Sequence, residues 1–428
     1  MYNAYPKVEG AIELPSKVEK TQLEGGCNVV SLDIAYPLTT LSLYVNAGTR
    51  YENRQTSNAS AFLKHLAFRG TNEKSALRLT RDIEHIGANL NAEVSRDHIA
   101  YHVKGLRLPN TPSLDIISET LRYVLNPLIL EHEVESTREV LLREAASAQS
   151  DYRERVFDLL HAEAFRDSGL SNALLPSAAR VNQVQPIEIF AHVKNTFYPG
   201  NRITIVGTGV DHSALVDKLK PLFTKPELKG RFRELKGQAL PQEPALPQTS
   251  SFVGSGITVR LTEATDTHVG VAFPGFSSSS GDLLSAQVLT DLLNNGQNGI
   301  RQALANFSWV KSAEAVHLDY SDTGLLVVYA HAEAGHGAEL ASALFGALKK
   351  FSSSVSQSDV EISKRRVQIG LLKDALNCRF KLARQLATKG AAPQEIVTGL
   401  EQVNIAKVAK TLDVQPALVS LGDVRGVP

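Results

Sequence analysis

Charge of one sign is the first thing this sequence lacks. The 428 residues include 45 Lys and Arg against 45 Asp and Glu, a formal net charge of zero. A dedicated nucleic-acid binder needs a basic excess to displace phosphate counterions, so nucleic acid is excluded as a partner class. Cysteine is scarce as well, with only Cys27 and Cys378, far apart in the chain. Two such thiols make neither a secreted-type disulfide framework nor a thiolate metal cage. No apolar run reaches the ~20 residues of a transmembrane helix, and ITIVG and VVYAHA are strand-sized. The opening stretch, MYNAYPKVEGAIELPSKVEK, lacks arginine and carries Glu9, Glu13 and Glu19. It resembles neither a signal peptide nor an import presequence.

What is present is material for a large core. An apolar fraction of 43% beside 21% charged residues is that of a globular protein, and the length calls for more than one domain. A composition break falls at 225–256, where Pro226, Pro241, Pro244 and Pro247 interrupt a polar, glycine-containing stretch. Such composition predicts an interdomain linker between domains at 1–224 and 257–428. The two halves resemble each other. LSLYVNAGTRYE, a helix at 57–68 and GANLNAEVSRDHIAYHVKGL in the first half are matched by HVGVAFPGFSSSSGD, LSAQVLTDLLNN and SAEAVHLDYSDTGLLVVYAHA in the second. Each reads as strand, polar turn, helix, then two strands joined at a short polar turn, SRDH or YSDTG. Further helical patterns follow in both halves. The expected fold is α+β: two tandem homologous halves, each an antiparallel-rich sheet with helices packed on one face.

The chemistry centres on SAFLKHLAFRGT, residues 60–71. Phe62, Leu63 and Leu66 are spaced for one face of a helix, with Ser57 or Asn58 as its cap. Some zinc peptidases carry H-x-x-E-H on a helix, where two imidazoles at i and i+4 converge on the metal and the glutamate serves as base. FLKHLAFRGT, together with RDIEHIGANLNAEVSRDHIAYHVKGL, EVLLREAA and HAEAFRDSGLSNALLPSAARV, resembles the pitrilysin and mitochondrial processing peptidase family. The resemblance implies the two-half fold and places the inverted motif at 61–65. Carried over position by position, the first histidine is Ala61, the glutamate is Lys64, His65 remains, and the distal carboxylate is Glu144.

One imidazole and one carboxylate fall short of the three protein ligands that zinc sites use. Lys64 opposes a cation as well. Two unit charges about 4 Å apart repel by ~4 kcal/mol at a dielectric of about 20, and a divalent ion roughly doubles that. The expectation is therefore no catalytic residue, no bound metal and no cofactor, with Glu144 able to pair with Lys64 or His65. A lone histidine on such a helix is ordinarily a boundary residue with a satisfied hydrogen bond.

Other stretches read blandly. LLNNGQNGIRQAL, 292–304, is a glycine-containing loop before a helix with no Lys-Ser or Lys-Thr pair for phosphate. ISKRRVQIGLLK, 362–373, mixes basic and apolar residues as a solvated helix face does. EHEVE, 131–135, reads as an exposed turn.

Among family members that lose the motif, the pattern most resembles core protein 2 of ubiquinol–cytochrome c reductase. The resemblance implies a structural, non-enzymatic subunit of respiratory complex III. Its partners would be a core protein 1-like subunit and other complex III subunits. It would sit peripherally on the matrix side of the mitochondrial inner membrane, without a transmembrane helix. The alternatives are a presequence-binding α-type subunit of the processing peptidase and an active zinc metallopeptidase.

Overall fold

The computed structural model describes residues 17–33, 38–71, 73–107, 113–166, 168–197, 200–223, 249–260, 266–377 and 379–423. Most of the proline-rich stretch expected at 225–256, and Cys378, lie outside them.

The first half runs β1 (Glu19–Gln22), β2 (Asn28–Leu32), β3 (Leu38–Val45), α1 (Ala59–Leu66), α2 (Ala76–His85), β4 (Asn89–Val94) and β5 (Ile99–Leu106). It continues through α3 (Ser113–Val124), α4 (Glu131–Ser150), α5 (Tyr152–Ala164), α6 (Ala178–Val181), α7 (Pro186–Phe197), β6 (Ile203–Thr208) and α8 (His212–Phe223). The second half holds β7 (Gly256–Arg260), β8 (Asp266–Gly275), α9 (Leu283–Asn295), α10 (Ile300–Leu304), β9 (Val310–Asp319) and β10 (Gly324–Glu333). After these come α11 (Gly337–Ser354), α12 (Gln357–Asn377), α13 (Arg379–Lys389), α14 (Pro393–Gly399), α15 (Ile405–Ala409) and β11 (Ala417–Gly422).

The strand orders are β1-β2-β6-β3-β5-β4 and β7-β11-β8-β10-β9. In each sheet the first strand of the repeat pairs parallel with the last, β2 with β6 and β7 with β11. All other pairs are antiparallel. The expected tandem repeat is therefore present strand for strand, with β1 added at one edge.

Each half buries its own helices on one face of its sheet. Phe62, Leu63, Leu121, Leu141 and Phe190 pack there over Leu41, Leu43 and Val103 in the first half. Leu289, Leu292, Leu344 and Leu348 do so over Val271 and Val328 in the second. The opposite faces are covered by exchange. In both halves the third helix after the hairpin crosses to the other sheet. Val156, Leu160 and Ala164 of α5 bury against Val327, Val419 and Leu421 of the second sheet. Leu382, Ala383 and Leu386 of α13 bury against Val30, Leu32 and Val206 of the first. Gly270 permits the close approach of α5, since a Cβ there would lie 2.5 Å from Val156 and 2.8 Å from Leu160.

The two polar hairpin turns also meet. Arg50, its side chain only 4% exposed, donates to Asp97 at 3.2 Å in the first turn and to Asp322 at 2.7 Å in the second. Ser321 N–H donates to Asp97 at 2.7 Å, and Ser250 N–H to Asp322 at 2.8 Å. The described end of the proline-rich stretch is thus tied down, and Val253 N–H reaches Ala164 C=O at 2.8 Å.

EHEVE departs from expectation. It forms the first turn of α4, where Glu131 and Glu133 suit the partial positive charge of a helix N-terminus. Pro127 lies just upstream of that helix and does not interrupt it.

Leu160→Ala leaves a cavity beneath the second sheet although the residue belongs to the first half. It is expected to cost about 2–5 kcal/mol in denaturant unfolding. Hydrogen exchange should accelerate in β8 and β11. Acceleration confined to first-half amides would contradict the exchange of helices.

Candidate functional site

Helix α1 is held by burial at one side and by a carboxylate at its start. Ala59, Phe62, Leu63 and Leu66 recur at helical spacing and are buried. Neither Ser57 nor Asn58 caps it with a side chain as expected. Asn58 takes a left-handed conformation, φ 68°, and makes no side-chain cap bond. The cap comes from Glu52, whose carboxylate accepts from Asn58 N–H and Ser60 N–H, both at 2.8 Å, and from the Ser60 hydroxyl. Glu52 lies outside the motif window and is seven residues from the helix, which hid it from pattern reading.

Helix α4 packs across α1 and presents Glu144. Lys64 Nζ lies 3.1 Å from Glu144 Oε1 and 3.4 Å from Oε2. His65 Nε2 lies 3.0 Å from Oε1, at ion-pair distance. The structure thus brings together three of the four positions carried over from the family motif. The fourth, Ala61, is half-buried against the core and offers no donor. Partial burial pushes the Glu144 carboxyl up, but the His65 and Lys64 contacts outweigh it and hold the group below its ordinary value.

The donor set does not fit zinc. Glu144 already receives an ammonium on both oxygens, and a divalent ion beside His65 would have to displace it and then face it. No proton acceptor stands at position 64 to activate a water. Among the described residues, no group of three or more His, Cys, Asp or Glu side chains could hold a metal ion.

The glycine-containing and basic stretches of the second half fall in regular helices and their connection. Residues 292–304 end α9 and form α10. The basic run at 362–373 lies within α12, where Arg366 donates to Asn295 C=O at 3.2 Å and Lys364 pairs with Glu361 at 3.0 Å. Among the described residues, no helix is long and apolar enough to cross a membrane.

Two α+β lobes in tandem, with a short helix turned toward a carboxylate on its neighbour, define a metallopeptidase-type architecture. The chain belongs to the insulinase family, peptidase family M16. Residues 29–177 match the profile of that family and residues 188–367 that of the peptidase M16 inactive domain. The beta subunit of the mitochondrial-processing peptidase of Bos taurus is 28% identical over 384 residues, covering 86% of this chain and 76% of its own. The Lentinula edodes beta subunit is 27% identical over 434 residues, covering 96% and 91%. That of Dictyostelium discoideum is 26% identical over 441 residues, covering 97% and 91%. A protease from Helicobacter pylori shares the fold, with a TM-score of 0.79 at 16% identity over 95% of this chain and 99% of that one.

These relatives correct two expectations. They are subunits of a peptidase, so the reading as core protein 2 of a respiratory complex, with complex III partners, is withdrawn. The expectation of a non-enzymatic, degenerate homologue inside an oxidoreductase complex is overturned with it, because the relatives are named as subunits of a processing peptidase, which points to an enzyme. Both had rested on Ala61 and Lys64, two local replacements that describe one site. Similarity along nearly the whole chain bears on the assembly, and it points elsewhere.

The carboxyl of Glu52 is buried, and desolvation raises it from 4.5 to about 7 against the pull of its hydrogen bonds. Between those pH values the folded chain keeps a proton that the unfolded chain releases, so stability falls as pH rises through the window. Relative to Glu52→Gln, which cannot ionise, the wild type should lose up to ~3 kcal/mol across it. Chemical denaturation at stepped pH reads the difference. Parallel curves for the two proteins would contradict the assignment.

Proposed function

We propose that this chain serves within a processing-peptidase-type metallopeptidase as the subunit that holds an extended polypeptide, beside a homologous subunit that carries the metal. The compartment is the mitochondrion, as the names of the relatives suggest, and the family resemblance supplies the mitochondrial presequence as the substrate class. The domain division at 1–224 and 257–428, joined by 225–256, belongs to the same reading.

One observation carries the proposal. β4 is an edge strand of the first sheet and lies against α1. Among the described residues, no side chain hydrogen-bonds to the backbone of Asn89–Val94. An extended segment can add to such an edge by main-chain hydrogen bonds, with side chains falling alternately on the two faces. Exposed Glu93 supplies a carboxylate along that edge for a basic peptide.

Beside the edge, Lys64 pairs with Glu144 and His65 Nε2 lies 3.0 Å from the same carboxylate. In this reading Ala61, Lys64, His65 and Glu144 hold no metal and perform no proton transfer. Their part is to fix α1 against α4 behind the docking strand. The hydrolytic step falls to the partner.

Mixing the purified chain with a processing-peptidase beta subunit tests this. A stable complex is expected, with chelator-sensitive presequence cleavage at a KM several-fold below that of the beta subunit alone. A proline placed in β4, Ala92→Pro, should abolish the KM gain and leave the complex intact. Failure to associate, or chelator-sensitive cleavage by this chain alone, would overturn the proposal.

A further inference from the structure

Each sheet has two edge strands, β1 and β4 in the first and β7 and β9 in the second, and β4 and β9 are the equivalent edges of the two repeats. An open edge offers alternate N–H and C=O groups to any passing strand. The two edges are built differently. Asn294, near the end of α9, reaches across the outer side of β9. Its Oδ1 accepts from Ala315 N–H at 2.8 Å, and its Nδ2 donates to Ala315 C=O at 2.8 Å. A single carboxamide thus takes both main-chain bonds that an added strand would make at that residue. Arg301 of α10 donates through Nε to Ala313 C=O at 2.9 Å. Ala313 and Ala315 stand two residues apart, so their main-chain groups leave β9 on the same side, away from Ala330 and Val328 of β10.

The connection between α9 and α10 places both side chains there. Its tightness requires glycine at 299, where a Cβ would lie 2.6 Å from Leu293 C=O and 2.9 Å from Leu292 C=O. The stretch NNGQNGIR therefore brings a donor–acceptor pair and a guanidinium onto one strand edge. Nothing comparable covers β4 among the described residues.

We infer that Asn294 and Arg301 close the β9 edge of the second sheet to strand addition and so deny it the extended polypeptide that the equivalent edge, β4, can accept. They are specificity-determining residues: one repeat keeps its edge open and the other has its edge filled by its own side chains. The inference deepens the polypeptide-binding reading and rests on it for the identity of the ligand. The closure of β9 stands on its own geometry.

The test uses the full chain, the variant Asn294→Ala/Arg301→Ala, and the milder Asn294→Asp, which can still accept from Ala315 N–H but cannot donate to its C=O. The probe is a dansyl-labelled peptide of about ten residues alternating valine and lysine, long enough to span one strand. Wild type should bind one equivalent. In the double variant, exchange of the Ala315 amide should quicken by about tenfold or more. A second peptide equivalent should bind, or light scattering should show a larger mass than wild type. Asn294→Asp should lie between, which preserves the test if the double variant does not fold.

Unchanged Ala315 exchange would overturn the inference. So would faster exchange with wild-type stoichiometry and mass, or two equivalents bound to the wild type itself. If the wild type binds no peptide, the polypeptide-binding reading fails. Closure of the edge is then judged by exchange and mass alone, with a mass increase in the variant supporting it and an unchanged mass overturning it.

Discussion

Arg50 sits where the two halves of the molecule touch at their equivalent hairpin turns. Its guanidinium is shut away from water and receives carboxylates from both sides, Asp97 from the first repeat and Asp322 from the second. Removing one member of such a buried set leaves an uncompensated charge, at a cost of about 3–5 kcal/mol. Geometry is the larger consequence. With the turns pinned together, α5 and α13 can each cross to the opposite sheet and bury a full apolar face there. The tandem repeat thus becomes a single packed body.

That body fixes the setting of the candidate site. α1 is clamped between the first sheet and α4, with Glu52 at its N-terminus and Lys64 paired to Glu144 in its last turn. An ammonium occupies the position at which the family's chemistry wants a proton acceptor beside a cation. Because Lys64 and Glu144 are both partly exposed, the pair adds little to stability. Its effect is local: it neutralises the one carboxylate that a metal would need.

Much of this was legible in the sequence. The repeat could be read because strands and helices recur in the same order, and the turns SRDH and YSDTG mark equivalent points. Ala61, Lys64, His65 and Glu144 could be named by position, and the structure brings the last three together. The cap from Glu52, the crossing of α5 and α13, and the carboxamide of Asn294 on Ala315 could not be read. Each joins residues whose relation is set by tertiary packing, and a hydrophobic period says which face is buried without saying against what. The assembly was misread for a different reason. Two replaced residues describe a site, while the relatives match along most of the chain.

The central claim is that a cation supplied by the protein stands where a metal would otherwise go. Zinc titration of the wild type beside the double variant Ala61→His/Lys64→Glu tests it most directly, with bound metal counted after dialysis. The account predicts no zinc on the wild type and one equivalent on the variant, lost again when Glu144→Ala is added. One equivalent on the wild type, abolished by His65→Ala, would contradict it.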